Sequence, residues 1–473
     1  QTLHRLWDTT TAPVEIAAWE LRGEPLPPQE ALSVADFQPA SVGDAWGRPW
    51  DTTWLRLTGL VPADWAGEPV EMVLDLGFND AEVGFQAEGL IVDAAGRAIR
   101  GVHPRQQHYR ITPAATGGEP VELLVEAAAN PSDTTSAMTN LEPLYRIVRA
   151  ELVLPRAVAR DLFHDIDVLR TLLAVRGHAG GDTERTGAVT AALVEACALV
   201  SPQADDTDLV KAREILAPVL ETPAAADAPM LSLVGHAHLD TAWLWPLRET
   251  VRKSVRTYAN VLALMDEDPD LTFAGTQAVH HAWVRDLQPD LWSRLLQRVD
   301  EGRWVPVGGM WVESDTLLAA GESLARQLVH GQRFFSEHFG RTAKVGWLPD
   351  CFGYAPAFPQ LLRQAGIESF LTQKLCWNDT NRFPHVTFWW EGLDGSRVLC
   401  HFPTVDTYNT ELHSDDLWRI TRGAPSGSPV PDSLAPMGYG DGGGGPTAQM
   451  LERARRMRDL DGLPRTRHVS PDD

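Results

Sequence analysis

From about residue 49 to residue 153, apolar and polar positions alternate in short runs such as Thr53-Trp54-Leu55-Arg56-Leu57 and Val70-Glu71-Met72-Val73-Leu74-Asp75-Leu76. A period of two is that of a strand with one buried face, and turn formers such as Asp93-Ala94-Ala95-Gly96 and Thr116-Gly117-Gly118 separate the runs. The pattern predicts an antiparallel β-sandwich with Trp54 and Phe78 in its core, since period-two aromatics pack inward. Between about residues 161 and 220 the period lengthens to that of a helix: Leu162, Ile166, Leu169 and Leu172, then Val189, Leu193, Ala196 and Val200, then Leu209 and Ile215. A helical hairpin bridging two domains is predicted, followed by a Pro/Ala-rich linker over residues 223–229.

After Met230 short apolar strands (Leu231–Val234, Phe273–Gly275, Trp304–Val307, Val345–Trp347, Phe370–Thr372) alternate with helical stretches such as Arg252–Asp266 and Leu324–Phe339. Strand, helix, strand at this spacing implies a parallel sheet with helices outside it, barrel-like in form, whose chemistry sits at the carboxyl ends of the strands. The expected fold class is therefore multidomain β and α/β. A β-sandwich occupies residues 1–155, a helical linker residues 156–228, and an α/β barrel-like catalytic domain residues 229–473.

The bulk numbers narrow this only a little. At 473 residues the chain exceeds what one core can hold. The net charge of −23 excludes a nucleic-acid backbone as partner, because phosphate binding needs clustered Lys and Arg. No apolar run reaches the ~18 residues of a membrane span, and the first residues lack the basic-then-apolar pattern of a signal peptide, so no membrane and a cytoplasmic location are expected. Cys197, Cys351, Cys376 and Cys400 form no C-x-x-C pair and are expected to be reduced and mostly buried. The absence of an initiator Met suggests a piece of something longer.

Candidate chemistry begins at the first of these strand ends. Leu231–Val234 runs into Gly235-His236-Ala237-His238-Leu239-Asp240, followed by Trp243-Leu244-Trp245-Pro246. Residues two apart on extended chain share a face, so His236, His238 and Asp240 form one row of possible metal ligands. Imidazole nitrogen with carboxylate oxygen suits Zn²⁺, and a catalytic zinc keeps one position open. A second strand end carries Gly308-Gly309-Met310-Trp311-Val312-Glu313-Ser314-Asp315, where Asp315 or Glu313 points into the same mouth and Trp311 could wall a sugar face. Further ends bring Asp350 and Tyr354 in WLPDCFGY and Asp441 in GYGDGGGGPT. Carboxylates beside aromatics are the composition of a carbohydrate site. The glycine run is not a phosphate loop, since no Lys-Ser/Thr follows it.

In order, GHAHLDTAWLWP, GGMWVESD, GWLPDCFGY, KLCWNDTNRFPHVTFWWEGLDGSRVL and GYGDGGGGPT resemble glycoside hydrolase family 38, the α-mannosidases, and in particular its cytosolic and vacuolar branch. The resemblance implies a retaining α-mannosidase with zinc held by His238, Asp240 and Asp315. It makes Asp315 also the nucleophile and Asp441 the acid/base, and Trp243, Asp350 and Tyr354 substrate contacts. The family's fourth zinc ligand, a His in a His-Arg-Gly-Thr-like motif, has no counterpart before Asp473, which implies truncation. The implied partner is a mannose-containing oligosaccharide or glycoside, and the family's tendency to assemble implies a homo-oligomer. Two rivals remain on the residues alone. One is a metal-dependent amidohydrolase or deacetylase drawing later ligands from Lys374, His401 and His413; the other is a carbohydrate-binding fragment without catalysis.

Overall fold

The computed structural model describes residues 6–79, 81–132, 142–179, 183–421 and 432–473. The first part folds as two antiparallel sheets. The four-stranded sheet runs Thr10–Pro13, Arg149–Leu154, Val70–Asp75, His108–Thr112, and the six-stranded one Gln38–Ala40, Glu15–Leu21, Thr52–Leu60, Pro120–Ala128, Glu88–Val92, Ala98–Val102. Leu55, Leu57, Leu74, Val125 and Leu152 fill the space between them, as the alternation requires, and Phe78 packs at their edge.

The second face of the six-stranded sheet is buried too. Trp54, Leu90, Val92 and Leu124 join a larger core with the helices and the second domain. Where a hairpin was expected, three helices follow, Ala157–Ala179, Thr183–Ala198 and Asp206–Leu220. The third starts on a capping box: the Asp205 carboxylate accepts the Asp208 N–H, while the Asp208 side chain reaches back to the Asp205 N–H. Polar turns between apolar periods mark a break in a helix but not how many helices result.

The α/β part is built on Met230–Gly235, which pairs in parallel with Phe273–Gly275, Asp432–Met437 and Arg465–His468; Trp304–Pro306 adds beyond Phe273–Gly275. A second sheet places Val345–Trp347, Ser369–Leu371 and Arg397–His401 in parallel, with Thr387–Glu391 antiparallel at its edge. The Gly308 N–H donates to the Val345 carbonyl at 2.8 Å and joins the two sheets. Every parallel strand thus ends on the same side, which is where the polar loops gather. Cys351 and Cys400 are buried, but Cys197 and Cys376 are exposed, the first on an α-helix and the second at the end of the short 3-10 helix Lys374–Cys376, so the expectation of mostly buried thiols holds for half of them. Among the described residues no helix is long and apolar enough to cross a membrane.

The amphipathic helix Leu247–Glu267 locks the two parts together. It lies across the sandwich strand Ala98–Val102, where the Gly101 N–H donates to Asn260 Oδ1 at 3.0 Å. Two to three turns earlier, charged groups from both sides are buried in a single network. Lys253 Nζ donates to Glu88 Oε2 at 2.5 Å and to the Gly84 carbonyl at 2.7 Å. Arg252 Nε donates to Glu126 Oε1 at 2.6 Å, and Asn130 Nδ2 to Glu249 Oε1 at 2.9 Å. Burial alone would raise the Glu249 pKa, but Arg252, Arg256 and Lys253 outweigh it and hold the carboxyl at about 2.

A carboxylate with a depressed folded pKa contributes stability that is present above its ordinary value of 4.5 and is lost as the pH falls toward 2. Glu249→Gln should therefore flatten the acid limb of the unfolding curve read by circular dichroism. It should also cost about 3–5 kcal/mol at neutral pH, because the cations around it lose their partner. An acid limb identical to that of the unsubstituted protein would refute this account.

Candidate active site

Met230–Gly235 is buried from Leu231 onward and delivers the chain at its carboxyl end to His236 through Asp240. The strand stops at Gly235, and with it the pleat that would set three ligands in a row. His236 turns beneath the site: its ring is wholly buried, accepts from Trp347 Nε1 at 3.4 Å, and is held neutral, its pKa pushed down to about 3 by burial. The row expected of His236, His238 and Asp240 is thus reduced to the last two.

Those two meet carboxylates from distant loops. One ligand atom each of His238, Asp240, Asp350 and Asp441 lies within 4.8 Å of the others, the one such group among the described residues. His238 Nε2 is 3.5 Å from Asp240 Oδ1 and 3.5 Å from Asp350 Oδ2, and Nδ1 is 3.2 Å from Glu313 Oε2. Backbone pairing sets the register of two of these loops. The Asp240 N–H donates to the Asp441 carbonyl at 3.0 Å, and Leu239 bridges to Gly442. Asp441 itself sits at φ 59°, a left-handed conformation that Asp tolerates better than most side chains. Its neighbour Gly442 lies against Gly84 of the sandwich so closely that a Cβ would come within 2.6 Å of the Gly84 backbone.

Three residues that sequence reading did not place in this site complete its frame. Gln277, 2% exposed, donates from Nε2 to the Leu239 carbonyl at 2.8 Å and accepts from Thr241 Oγ1 at 2.9 Å. Tyr408 donates its hydroxyl to Asp441 Oδ1 at 2.9 Å and sets its ring edge-on to His238, centroids 5.2 Å apart. Lys374, expected only as a ligand in the amidohydrolase alternative, has its Nζ 3.2 Å from Asp350 Oδ1. Asp350 would be raised by burial, but His238 and Lys374 hold it at about 2. His401 is tied to Thr387 Oγ1 at 2.9 Å, and His413 faces Glu411 at 3.5 Å, so neither belongs to the group.

The remaining candidates are placed as follows. Asp315 is exposed, and its Oδ1 accepts the N–H groups of Leu317 and Leu318 at 2.8 Å each; it is outside the four-residue group. Its loop nevertheless runs along the site, with Glu313 against His238 two residues before it and Thr316 donating to the Gly353 carbonyl at 2.7 Å just after it. Trp243 is exposed, edge-on to Phe85 of the sandwich at 5.8 Å. Trp311 packs edge-on against Phe334 at 5.9 Å, and Tyr354 lies between Phe370 and Trp390 with its hydroxyl donating to the Cys351 carbonyl at 3.0 Å.

The donor set fits a divalent cation. Burial pushes the His238 pKa down, yet Glu313, Asp240 and Asp350 outweigh it and lift the imidazole well above its ordinary value, so a proton sits where the carboxylates demand positive charge. Glu313 Oε1 is buried without a partner, and the two ring nitrogens of His238 meet only carboxylate oxygens of Glu313, Asp240 and Asp350, at 3.2–3.5 Å. Orphaned ligand atoms of this kind are costly unless an ion takes them up.

Residues 229–473 match the family described as glycosyl hydrolases family 38 N-terminal domain, and residues 12–153 match the alpha-mannosidase jelly roll domain. The chain is 36% identical over 470 residues to Alpha-mannosidase 2C1 of Homo sapiens, covering 98% of this chain and 44% of that protein. It is 33% identical over 443 residues to an Alpha-mannosidase of Saccharomyces cerevisiae, covering 90% of this chain and 40% of that one. A solved alpha-mannosidase from Enterococcus faecalis aligns over 52% of this chain and 28% of its own, with 19% identity and a TM-score of 0.44. The chain thus spans less than half the length of the curated relatives it matches.

Proposed function

Because the chain belongs to glycosyl hydrolase family 38, we propose that the full-length protein is a retaining α-mannosidase that removes terminal α-D-mannosyl residues with the help of a bound Zn²⁺. The observation that carries this reading is the convergence of His238, Asp240, Asp350 and Asp441 within 4.8 Å at the strand ends.

His238 and Asp240 are the ligands proposed for the ion, with Asp315 joining them as the family pattern implies. When bound, zinc supplies Lewis-acid polarisation and fixes the orientation of sugar hydroxyls. The remaining work falls to side chains. Asp315 attacks the anomeric carbon and forms a glycosyl ester while Asp441 gives its proton to the departing oxygen; Asp441 then takes a proton from water, which hydrolyses the ester. The Tyr408 hydroxyl holds Asp441 Oδ1 in place for that proton transfer, and Lys374 keeps Asp350 ionised for a substrate hydroxyl. Trp243 and Tyr354 are proposed as further substrate contacts. Trp311, proposed as a sugar wall, would have to leave Phe334 to act as one.

Release of 4-nitrophenol from its α-mannoside by the full-length protein tests this directly. Activity should disappear with a chelator and return with Zn²⁺. Binding of the glycoside without turnover would favour a sugar-binding role, and hydrolysis of amides alone would favour a deacetylase. At the metal itself, Asp240→Asn is expected to weaken Zn²⁺ binding measured by calorimetry by at least about 10–100-fold, the scale seen even for outer-shell partners. Unchanged affinity would remove Asp240 from the ligand set.

A further inference from the structure

A cavity of about 350 Å³ opens beside Asp441 and Tyr408, and its far wall belongs to the jelly roll. We propose that this cavity seats the first sugar of the leaving group, a neutral hexosyl residue, and that Arg105 of the jelly roll is a specificity-determining contact there. The proposal rests on Asp441 being the proton donor. A donor must reach the glycosidic oxygen, so the group that departs with that oxygen sits on the donor's side. The space adjoining Asp441 is this cavity.

Its walls decide the chemistry of the occupant. Four carboxylates, Glu82, Asp406, Glu411 and Asp441, line it against one guanidinium, that of Arg105, with the Lys374 ammonium beside Trp377 at the rim, so a phosphorylated or sulfated sugar would meet a net negative wall and a neutral one would not be repelled. Trp377 is 64% exposed, with the Lys374 ammonium over its ring at 3.2 Å from the centroid. The part of the ring that Lys374 leaves exposed is suited to the apolar face of a pyranose.

Arg105 lies in the turn between strands Ala98–Val102 and His108–Thr112, where its N–H donates to His103 Nδ1 at 3.2 Å and pins the turn. Its side chain is exposed and makes no ion pair among the described residues, while its charge acts on Glu411 across the cavity. The guanidinium can therefore turn to hydroxyls of a sugar without breaking an existing bond. This would give the jelly roll a part in substrate choice.

The experiment compares kcat/KM on an α-linked mannobiose and on 4-nitrophenyl α-mannoside, in the full-length protein, for Arg105→Ala and Trp377→Ala. Both residues are exposed, so both variants should fold with an unchanged Tm. Loss of a hydrogen bond from a charged group predicts a fall of roughly 10–100-fold on the disaccharide for Arg105→Ala, with the aryl substrate changed by less than about twofold. Equal losses on the two substrates, or no loss on either, would overturn the assignment. Should the unsubstituted protein cleave neither, calorimetric titration with mannobiose separates the two readings. Binding that Arg105→Ala abolishes supports the cavity and leaves the catalytic reading to fall; absent binding, or binding unchanged by the substitution, overturns the cavity.

Discussion

In the full-length protein, Asp315→Ala should lower mannoside turnover by roughly 10⁴–10⁶-fold, the scale on which removing one member of a covalent catalytic unit acts. The expectation is sharp because a rival carboxylate lies two residues away. Glu313 touches His238 at 3.2 Å, whereas the Asp315 carboxylate caps Leu317 and Leu318. Glu313→Gln, which keeps shape and removes charge beside a proposed metal ligand, should cost far less, about 10–100-fold. Azide provides a second readout. With the nucleophile gone, azide attacks the anomeric carbon from the vacated face in a single displacement, so the α-mannoside yields a β-mannosyl azide. If Asp315→Ala keeps activity within tenfold while Glu313→Gln loses it, the nucleophile is Glu313.

Asp441→Ala should separate substrates by leaving group. Without the acid, an alkoxide must depart unaided, so a disaccharide should lose about 10²–10⁴-fold in kcat/KM, the usual contribution of general acid catalysis. An aryl mannoside with a good leaving group should retain far more in the first step and accumulate glycosyl-enzyme, because the second step lacks its base. Azide then attacks that ester and returns an α-mannosyl azide, the opposite anomer from the first variant. Equal losses on both substrates would show that another group is the acid, with Asp350 the first to examine because it also lies in the ligand group.

Several of these residues are legible in the sequence alone, and the reason is local. Met230–Gly235, Phe273–Gly275 and Val345–Trp347 announce themselves as short apolar runs between helices, and His238 and Asp240 follow directly on the first of them. Asp441 stands out because its loop is nearly all glycine, which the close approach to Gly84 and the backbone pairing with Asp240 demand. Gln277, Tyr408 and Lys374 gave no comparable signal. Each acts through a partner far away in the chain: Tyr408 through Asp441, Gln277 through Leu239, Lys374 through Asp350. A lone Gln, Tyr or Lys on a loop has no spacing to read. His236 was misplaced because alternation was extended past the last residue of its strand. The second buried face of the six-stranded sheet was hidden for a similar reason, since Trp54, Leu90 and Leu124 obey the same period as the sandwich core and only the arriving helices give them cover.

The network joining Glu88 and Glu126 to Arg252, Lys253 and Arg256 bears on how such a molecule can be inherited. Each side carries charge of one sign in excess that only the other side neutralises, so exchanging either half for a foreign one by recombination would strand several ions in a dry seam. The cost would be several kcal/mol for each ion left alone, more than most domains can spare. Selection should then keep the jelly roll and the hydrolase body as one transmitted unit, with compensating changes appearing in pairs across the seam.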